Sequence, residues 1–197
     1  MSVQSTKRFY NFYSFIYCFI DIFLLPQKRK MALVVNRQVQ GNLLEIGVGT
    51  GSHINLYRNQ TLYAIDLSEN MIFKAVGRNR VNSHFSIMQG EQLGFKSESF
   101  DAVVLSHVLS VVDDTEALIQ EVSRVLKPSG LLFVLNHFSP DKHWSTFIYK
   151  HFLKLSQLLH FKIDFKQSQV KSLGLFDKQN EQGFGKLSIK LLTFKKK

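Results

Sequence analysis

The sequence contains one cysteine, Cys18, in 197 residues. A lone thiol excludes an internal disulfide framework and a cysteine-based zinc site. Long apolar runs are missing as well. The best candidate, Phe9 to Leu25, is broken by Asn11, Ser14 and Asp21, and a membrane-crossing helix needs about 20 predominantly apolar residues. A secretory leader fits poorly, because Pro26-Gln27-Lys28-Arg29-Lys30 follows where a small-residue cleavage site belongs. Acidic residues are scarce: 15 Asp and Glu stand against 25 Lys and Arg, a formal charge of +10. Such an excess favours an anionic partner, either phospholipid head groups or nucleic acid. His143, His151 and His160 lack the i,i+4 spacing and acidic partners of a metal site, so no metal is expected. With 45% hydrophobic and 20% charged residues, the chain is not disordered, collagen-like or a polytopic membrane protein. Its length suits one domain with a sizeable core.

What is abundant is phenylalanine, 18 residues, many of them near the start. There Lys7, Asn11, Ser14, Cys18 and Asp21 step by four, three, four and three, which puts the polar side chains on one narrow helical stripe. The rest of the circumference is Phe, Tyr, Ile and Leu. Two readings stay open. The helix packs on the domain as a lid, or it lies in a membrane interface with Lys28, Arg29 and Lys30 near anionic head groups. A second helix is predicted from Pro26 to about Val39, with proline in its first turn. Residues 1–40 are thus read as a helical extension and 41–197 as the main domain.

From residue 42 the pattern alternates. Predicted strands are Asn42–Ile46, Leu62–Asp66, His84–Met88, Phe100–Leu105 and Leu131–Leu135. Between them Ser68 caps a helix to about Gly77, Asp113 or Asp114 caps another to Leu126, and Lys127-Pro128-Ser129-Gly130 is a turn. The alternation predicts an α/β fold with a doubly wound, mostly parallel sheet. The aromatic, basic segment His143 to Phe165 is predicted to be helical. Residues Phe184 to Phe194 are strand material beside Gly183 and Gly185, and Lys195-Lys196-Lys197 reads as a solvated tail.

Ligands of open α/β sheets sit at the carboxyl ends of the strands. Glu45-Ile46-Gly47-Val48-Gly49-Thr50-Gly51 lies at such an end, and Asp66 closes the next predicted strand. Glycines let backbone approach a ligand with no Cβ in the way. A carboxylate placed like Asp66 can accept from both hydroxyls of a ribose. The spacing is G-x-G-x-G, whereas a dinucleotide loop would need its last glycine at position 52, where Ser52 stands.

These features resemble class I S-adenosylmethionine-dependent methyltransferases over residues 40–137. The resemblance rests on E-I-G-V-G-T-G (45–51), D-L-S-E-N-M (66–71), S-F-D-A-V-V (99–104) and R-V-L-K-P-S-G (124–130). It implies a Rossmann-like, seven-stranded sheet and S-adenosylmethionine as cofactor. Gly47, Gly49 and Gly51 would line its methionyl and ribose parts. Glu45 would hold the loop and help orient the amino group, and Asp66 would take the ribose hydroxyls. Leu67 and Met71 would pack near the adenine. Gln89, Gly90, Glu91 and Ser106 complete the implied cofactor set. Gln89 stands where many relatives have Asp and can accept from the adenine amino group only through an uncharged carbonyl.

Within that superfamily the chain resembles small bacterial phosphatidylethanolamine N-methyltransferases. The resembling features are Tyr10 and Tyr17, G-V-G-T-G, Val134-Leu135-Asn136-His137 and Gly183-Phe184-Gly185. This implies a monomer at the inner, cytoplasmic face of a membrane, with an anionic phospholipid surface as partner and a lipid amine as substrate. The amine must shed a proton before attack. His137 and His107 are the candidates to receive it, while Tyr10 and Tyr17 would close the site and hold methylated ammonium groups by cation–π attraction. A quinone or other small apolar acceptor is the alternative substrate, although it gives no reason for the charge of +10. Nucleic acid is not expected, because Ser106-His107-Val108-Leu109 stands where a base methyltransferase would carry an N-P-P-Y-type tetrapeptide.

Overall fold

The computed structural model describes residues 24–137, 170–184 and 189–197. Tyr10, Tyr17, the polar stripe Lys7–Asp21, the segment His143–Phe165 and Gly185 lie outside the described residues. Helix α1 covers residues 24–38. The elements that follow are β1 (Gly41–Ile46), β2 (Gln60–Asp66), α2 (Glu69–Val76), β3 (Ser83–Ile87), β4 (Phe100–Ser106), α3 (Thr115–Val125), β5 (Leu126–His137), β6 (Phe176–Phe184) and β7 (Ile189–Lys196). Short 3-10 helices occupy Ile54–Leu56 and Lys171–Leu175.

The seven strands form one sheet in the order β3-β2-β1-β4-β5-β7-β6. β1 to β5 are mutually parallel, and β7 runs antiparallel to both β5 and β6. The predicted mostly parallel, seven-stranded sheet is therefore present. Its central strands are buried on both faces because alternate residues feed two cores. Leu44, Ile46, Val103, Leu105, Leu132 and Val134 face one way, onto Leu118, Ile119, Val122 and Val125 of α3. Leu43, Leu62, Ala64, Ala102, Val104, Phe133 and Leu135 face the other, onto Met31, Ala32, Val35 and Val39 at α1 and Ala75 of α2.

Helix boundaries follow local chemistry. Asp114 is the N-cap of α3, its Oδ1 accepting from Ala117 N at 3.0 Å. Lys127–Gly130, predicted as a turn, is instead a bulge inside β5. The β4–β5 register steps from Phe100↔Leu126 to Ala102↔Leu131, and Ser129 takes φ 62°. The C-terminal strand material is two strands. Lys195 and Lys196 are no solvated tail: they pair within β7 opposite Asp177 and Phe176, and Lys196 Nζ donates to Leu126 O at 2.8 Å.

Candidate functional site

Strand register gathers the predicted residues at one edge of the sheet. Ile46 aligns with Ile65 on one side and Leu105 on the other, and Ser106 aligns with Leu135. The carboxyl ends of β1, β2, β4 and β5 are thus level. The loop 47–51, Asp66, Ser106-His107 and Asn136-His137 all emerge there.

The loop is held by backbone hydrogen bonds to β2: Gly47 N and Val48 N both donate to Ile65 O, at 2.8 and 3.0 Å. Gly47 has φ 70°, and a Cβ on it would lie 2.6 Å from Val108 Cγ2. Here glycine is demanded by packing. Gly49 also has a left-handed φ, 59°, but a Cβ there would meet nothing within 4 Å. The peptide of Gly49 therefore borders open space, which a ligand's atoms can enter only while no side chain fills it. Gly90 is tight again: its Cβ would be 2.9 Å from Ile46 Cγ2 and Leu118 Cδ1. This packs residues 89–91 closely over the end of β1. Gln89 and Glu91 are half-buried there.

Asp66 does more than the sequence implies. Its Oδ2 accepts from Gly49 N and its Oδ1 from Ser68 N, both at 2.9 Å. One carboxylate thus ties the glycine loop to the start of α2. Each oxygen keeps a further lone pair, so hydroxyl donors can still be accepted. Burial pushes the Asp66 carboxyl up, opposed by the Ser68 and Gly49 N–H groups and by the charge of Lys28. Lys28 departs from the exposed basic cluster expected with Arg29 and Lys30. It is only 6% exposed, because it shares the helical stripe of Met31, Ala32 and Val35, which faces the sheet. Leu67 is half-buried, and Met71 is buried in the first turn of α2.

On the other side, Ser106 is buried, and its hydroxyl finds no hydrogen-bond partner among the described residues. His107 sits just past β4 with φ 61° and donates its N–H to Leu135 O at 2.7 Å. Asn136 is fully buried; its Oδ1 accepts from Ser110 Oγ at 3.1 Å and its Nδ2 donates to His137 O at 2.9 Å. The backbone at His137 is thereby fixed. Burial pulls the His137 imidazole down from its usual range, so the ring is neutral at pH 7. Its Nδ1 has no hydrogen-bond partner among the described residues.

One member was missed by sequence reasoning. His53, fully buried, places Nε2 2.7 Å from Glu45 Oε1. Nothing local marks His53, since its partner lies eight residues earlier across the loop. The residues present fit an adenosyl cofactor. They offer a side-chain-free cradle at Gly49 and a carboxylate at Asp66 with spare acceptor capacity.

Comparison with known proteins agrees with that geometry. A family described as "Methyltransferase domain" matches residues 44–134. A phosphatidylethanolamine N-methyltransferase of Cereibacter sphaeroides is 29% identical over 179 residues, which is 86% of each chain. A demethylmenaquinone methyltransferase of Streptomyces griseus is 27% identical over 129 residues, covering 64% of this chain and 55% of that one. Among solved structures, geranyl diphosphate C-methyltransferase from Streptomyces coelicolor, in complex with S-adenosyl-L-homocysteine, superposes with a TM-score of 0.70. It shares 11% identity and covers 87% of this chain and 77% of that one, a likeness of fold alone. The match at residues 44–134, the glycine loop, the acid ending β2 and the sheet order together identify an S-adenosylmethionine-dependent methyltransferase domain in this chain.

Proposed function

We propose that the protein methylates the amine of phosphatidylethanolamine and its partly methylated intermediates, toward phosphatidylcholine, at an anionic membrane surface. The observation that carries this reading is the extent of the similarity to the Cereibacter sphaeroides enzyme, 86% of both chains. It reaches beyond the domain match at residues 44–134 into flanking segments, where an acceptor rather than the shared cofactor would be recognised. The net charge of +10 suits an anionic surface.

S-adenosylmethionine, when bound, supplies a methyl group on a cationic sulfur that a nucleophile can displace. The protein's task is alignment and exclusion of water. Asp66 accepts from the ribose hydroxyls while its present N–H bonds keep the loop in place. Glu45 would face the amino group and Gln89 would accept from the adenine amino group, with bare backbone offered at Gly49 and the turn shaped by Gly47 and Gly51, which pack on Val108 and Ala75. Leu67, Met71, Gly90, Glu91 and Ser106 complete the walls. A lipid amine has a pKa of about 10 if it behaves like lysine, and desolvation in the cleft lowers it. His137, kept neutral by burial, is the first candidate to take the released proton, and His107 beside it is the second. Tyr10 and Tyr17 are assigned to cover the head group.

A second reading, methyl transfer to a quinone, draws on the Streptomyces griseus relative. One assay separates the two. The protein is incubated with labelled S-adenosylmethionine and either phosphatidylethanolamine vesicles or a demethylated quinol, and products are read by mass spectrometry. Mono-, di- or trimethylated ethanolamine lipids are the expected outcome. Methylated quinol with no methylated lipid would overturn the lipid assignment.

A further inference from the structure

Charge is divided unevenly between the two faces of the sheet. Residues 24–90 carry eight basic and three acidic side chains, whereas residues 91–137 carry three basic and seven acidic. The first stretch builds α1, the 3-10 helix Ile54–Leu56 and α2, which feed Met31, Val35, Ile54 and Ala75 into one core. The second builds α3, which feeds Leu118, Ile119 and Val122 into the core on the opposite face. One helical layer is therefore basic and the other acidic.

The acids of the basic layer are mostly withdrawn from its surface. Glu45 is 0% exposed, and Asp66 is bonded to Gly49 N and Ser68 N at the site. That leaves Glu69 as the exposed acid. Against it stand six exposed cations, Arg29, Lys30, Arg37, Arg58, Lys74 and Arg78. None of the six takes part in an ion pair among the described residues.

Apolar side chains stand between the cations. Arg29, Leu33 and Arg37 follow i,i+4 spacing along the outer stripe of α1, and Leu33 is 53% exposed. Phe73 and Val76 lie on the outer side of α2, away from buried Met71 and Ala75, and Val81 follows in the connection to β3. Phe73 and Val81 are each 80% exposed. Hydrogen bonds join these segments into one surface. Asn36 Nδ2 donates to Leu56 O at 2.8 Å, and Asn36 Oδ1 accepts from Arg58 N at 3.0 Å. Asn55 Nδ2 donates to Arg78 O at 3.1 Å, and the Arg80 guanidinium donates to the carbonyls of Ile54 and Gln60.

We infer that the layer of α1, the 3-10 helix Ile54–Leu56 and α2 is the face that lies on an anionic lipid bilayer. Such a surface fits both features at once: lipid phosphates meet the cations, while Leu33, Phe73 and Val81 enter the head-group boundary. A nucleic acid would engage the cations and leave the apolar side chains without a role. The acidic α3 layer faces away from the like-charged lipid. Only two residues separate α1 from β1, so the first turns of α1 lie back at the site end of the sheet, where the charge of Lys28 reaches Asp66. Docking through this layer sets the edge of the cleft beside the lipid. The inference rests on the reading that the acceptor is a membrane lipid, and it adds which surface meets that membrane.

Two charge reversals of equal size test it. Arg37→Glu/Arg58→Glu alters the basic layer. Lys96→Glu/Lys197→Glu removes the same charge from exposed residues on the α3 side, where Phe95 O accepts from Arg124 and Lys197 N donates to Leu175 O. Each is compared with the wild type by cosedimentation with phosphatidylglycerol-containing vesicles, and circular dichroism checks that each folds. The first pair is expected to weaken binding by about thirtyfold, the share of two basic residues at a charged surface. The second is expected to weaken it by less than about threefold, because charges beyond the screening length are muted. Phe73→Ser is expected to weaken binding by about tenfold, and Glu69→Gln to strengthen it. Should Arg58→Glu disturb the fold, Arg37→Glu/Lys74→Glu takes its place. Equal losses from the two pairs, or wild-type protein that stays in the supernatant, would overturn the inference. So would a short RNA duplex that the wild type binds more tightly than the vesicles and Arg37→Glu/Arg58→Glu fails to bind. A wild-type dimer in sedimentation velocity, dissolved by that pair with no loss of vesicle binding, would instead make the face an interface between copies and overturn it too. The substrate reading is judged separately: vesicles that capture the protein yet give no methylated phosphatidylethanolamine refute the lipid substrate and leave the docking face standing.

Discussion

His137 shows how burial turns a common side chain into a usable one. It ends β5, its backbone carbonyl accepts from Asn136 Nδ2, and burial lowers its pKa. An unfolded histidine takes up a proton near pH 6.5. The folded one resists until a lower pH. Between those two values the unfolded state binds more protons, so stability falls as pH drops through that window and is fully present above it. His137→Gln removes this term. The expected outcome is a melting temperature that declines less between pH 7.5 and 5 than in the wild type, measured by thermal unfolding in matched buffers; parallel curves would contradict a neutral, buried ring. The glycine loop and Asp66 carry their information in adjacent letters and are legible in the sequence. The bond from Gly49 N to Asp66 is not, because it exists only once β1 and β2 lie side by side, and neither is the pairing of Glu45 with His53, which closes across the loop.

Elements differ in the same way. β1, β4 and most of β5 read as runs of Leu, Ile, Val and Phe because both faces of a central parallel strand are buried. β6 escapes notice, since Asp177 to Gln182 is uniformly polar and exposed; it is a strand only because β7 offers it a partner at the sheet edge. Helix α3 is the opposite case, announced by its cap. Its first turn is also tied to the C-terminal segment: Ser172 N donates to Glu116 Oε2 at 2.9 Å, and Lys171 N and Ser172 Oγ bond the same carboxylate. At its far end Arg124 bonds Glu121 and the carbonyls of Leu93 and Phe95, which follow the Gln89–Glu91 segment. α3 therefore braces the adenine side of the proposed site. Asp114→Ala deletes the bond to Ala117 N and leaves an orphan donor. It is expected to cost about 1 kcal/mol in urea unfolding, with Asp114→Asn recovering most of it. An unchanged midpoint for the alanine variant would mean that α3 is held by its buried stripe and by Glu116, with the cap contributing nothing.

At the scale of the whole molecule, the proposed lipid substrate requires that the protein reach a membrane surface. Among the described residues no helix is long and apolar enough to cross a membrane. The basic excess of ten charges is one source of attraction to an anionic surface. Some of that excess is spoken for: Lys28 is buried, Lys127 pairs with Asp101 at 2.6 Å, and Lys190 pairs with Glu181 at 2.7 Å. Arg29 and Lys195 are exposed. Lys30 is exposed too, its Nζ 5.3 Å from the centroid of the Phe184 ring. Each basic residue near an anionic bilayer contributes about 1 kcal/mol, so even two or three engaged side chains give a preference of about 30-fold to about 150-fold for anionic over neutral vesicles. That preference has a range. The screening length is about 10 Å at 0.1 M salt and about 3 Å at 1 M, so contacts through a hydration layer survive the first condition and fail in the second. Cosedimentation with phosphatidylglycerol-containing vesicles is therefore expected at about 0.1 M salt and lost at about 1 M, with little pelleting on phosphatidylcholine alone. Equal binding to neutral vesicles that ignores salt would assign membrane affinity to apolar insertion. The excess of lysine and arginine would then need another explanation, while the cofactor cradle, built from neutral backbone and two carboxylates, would stand unaffected.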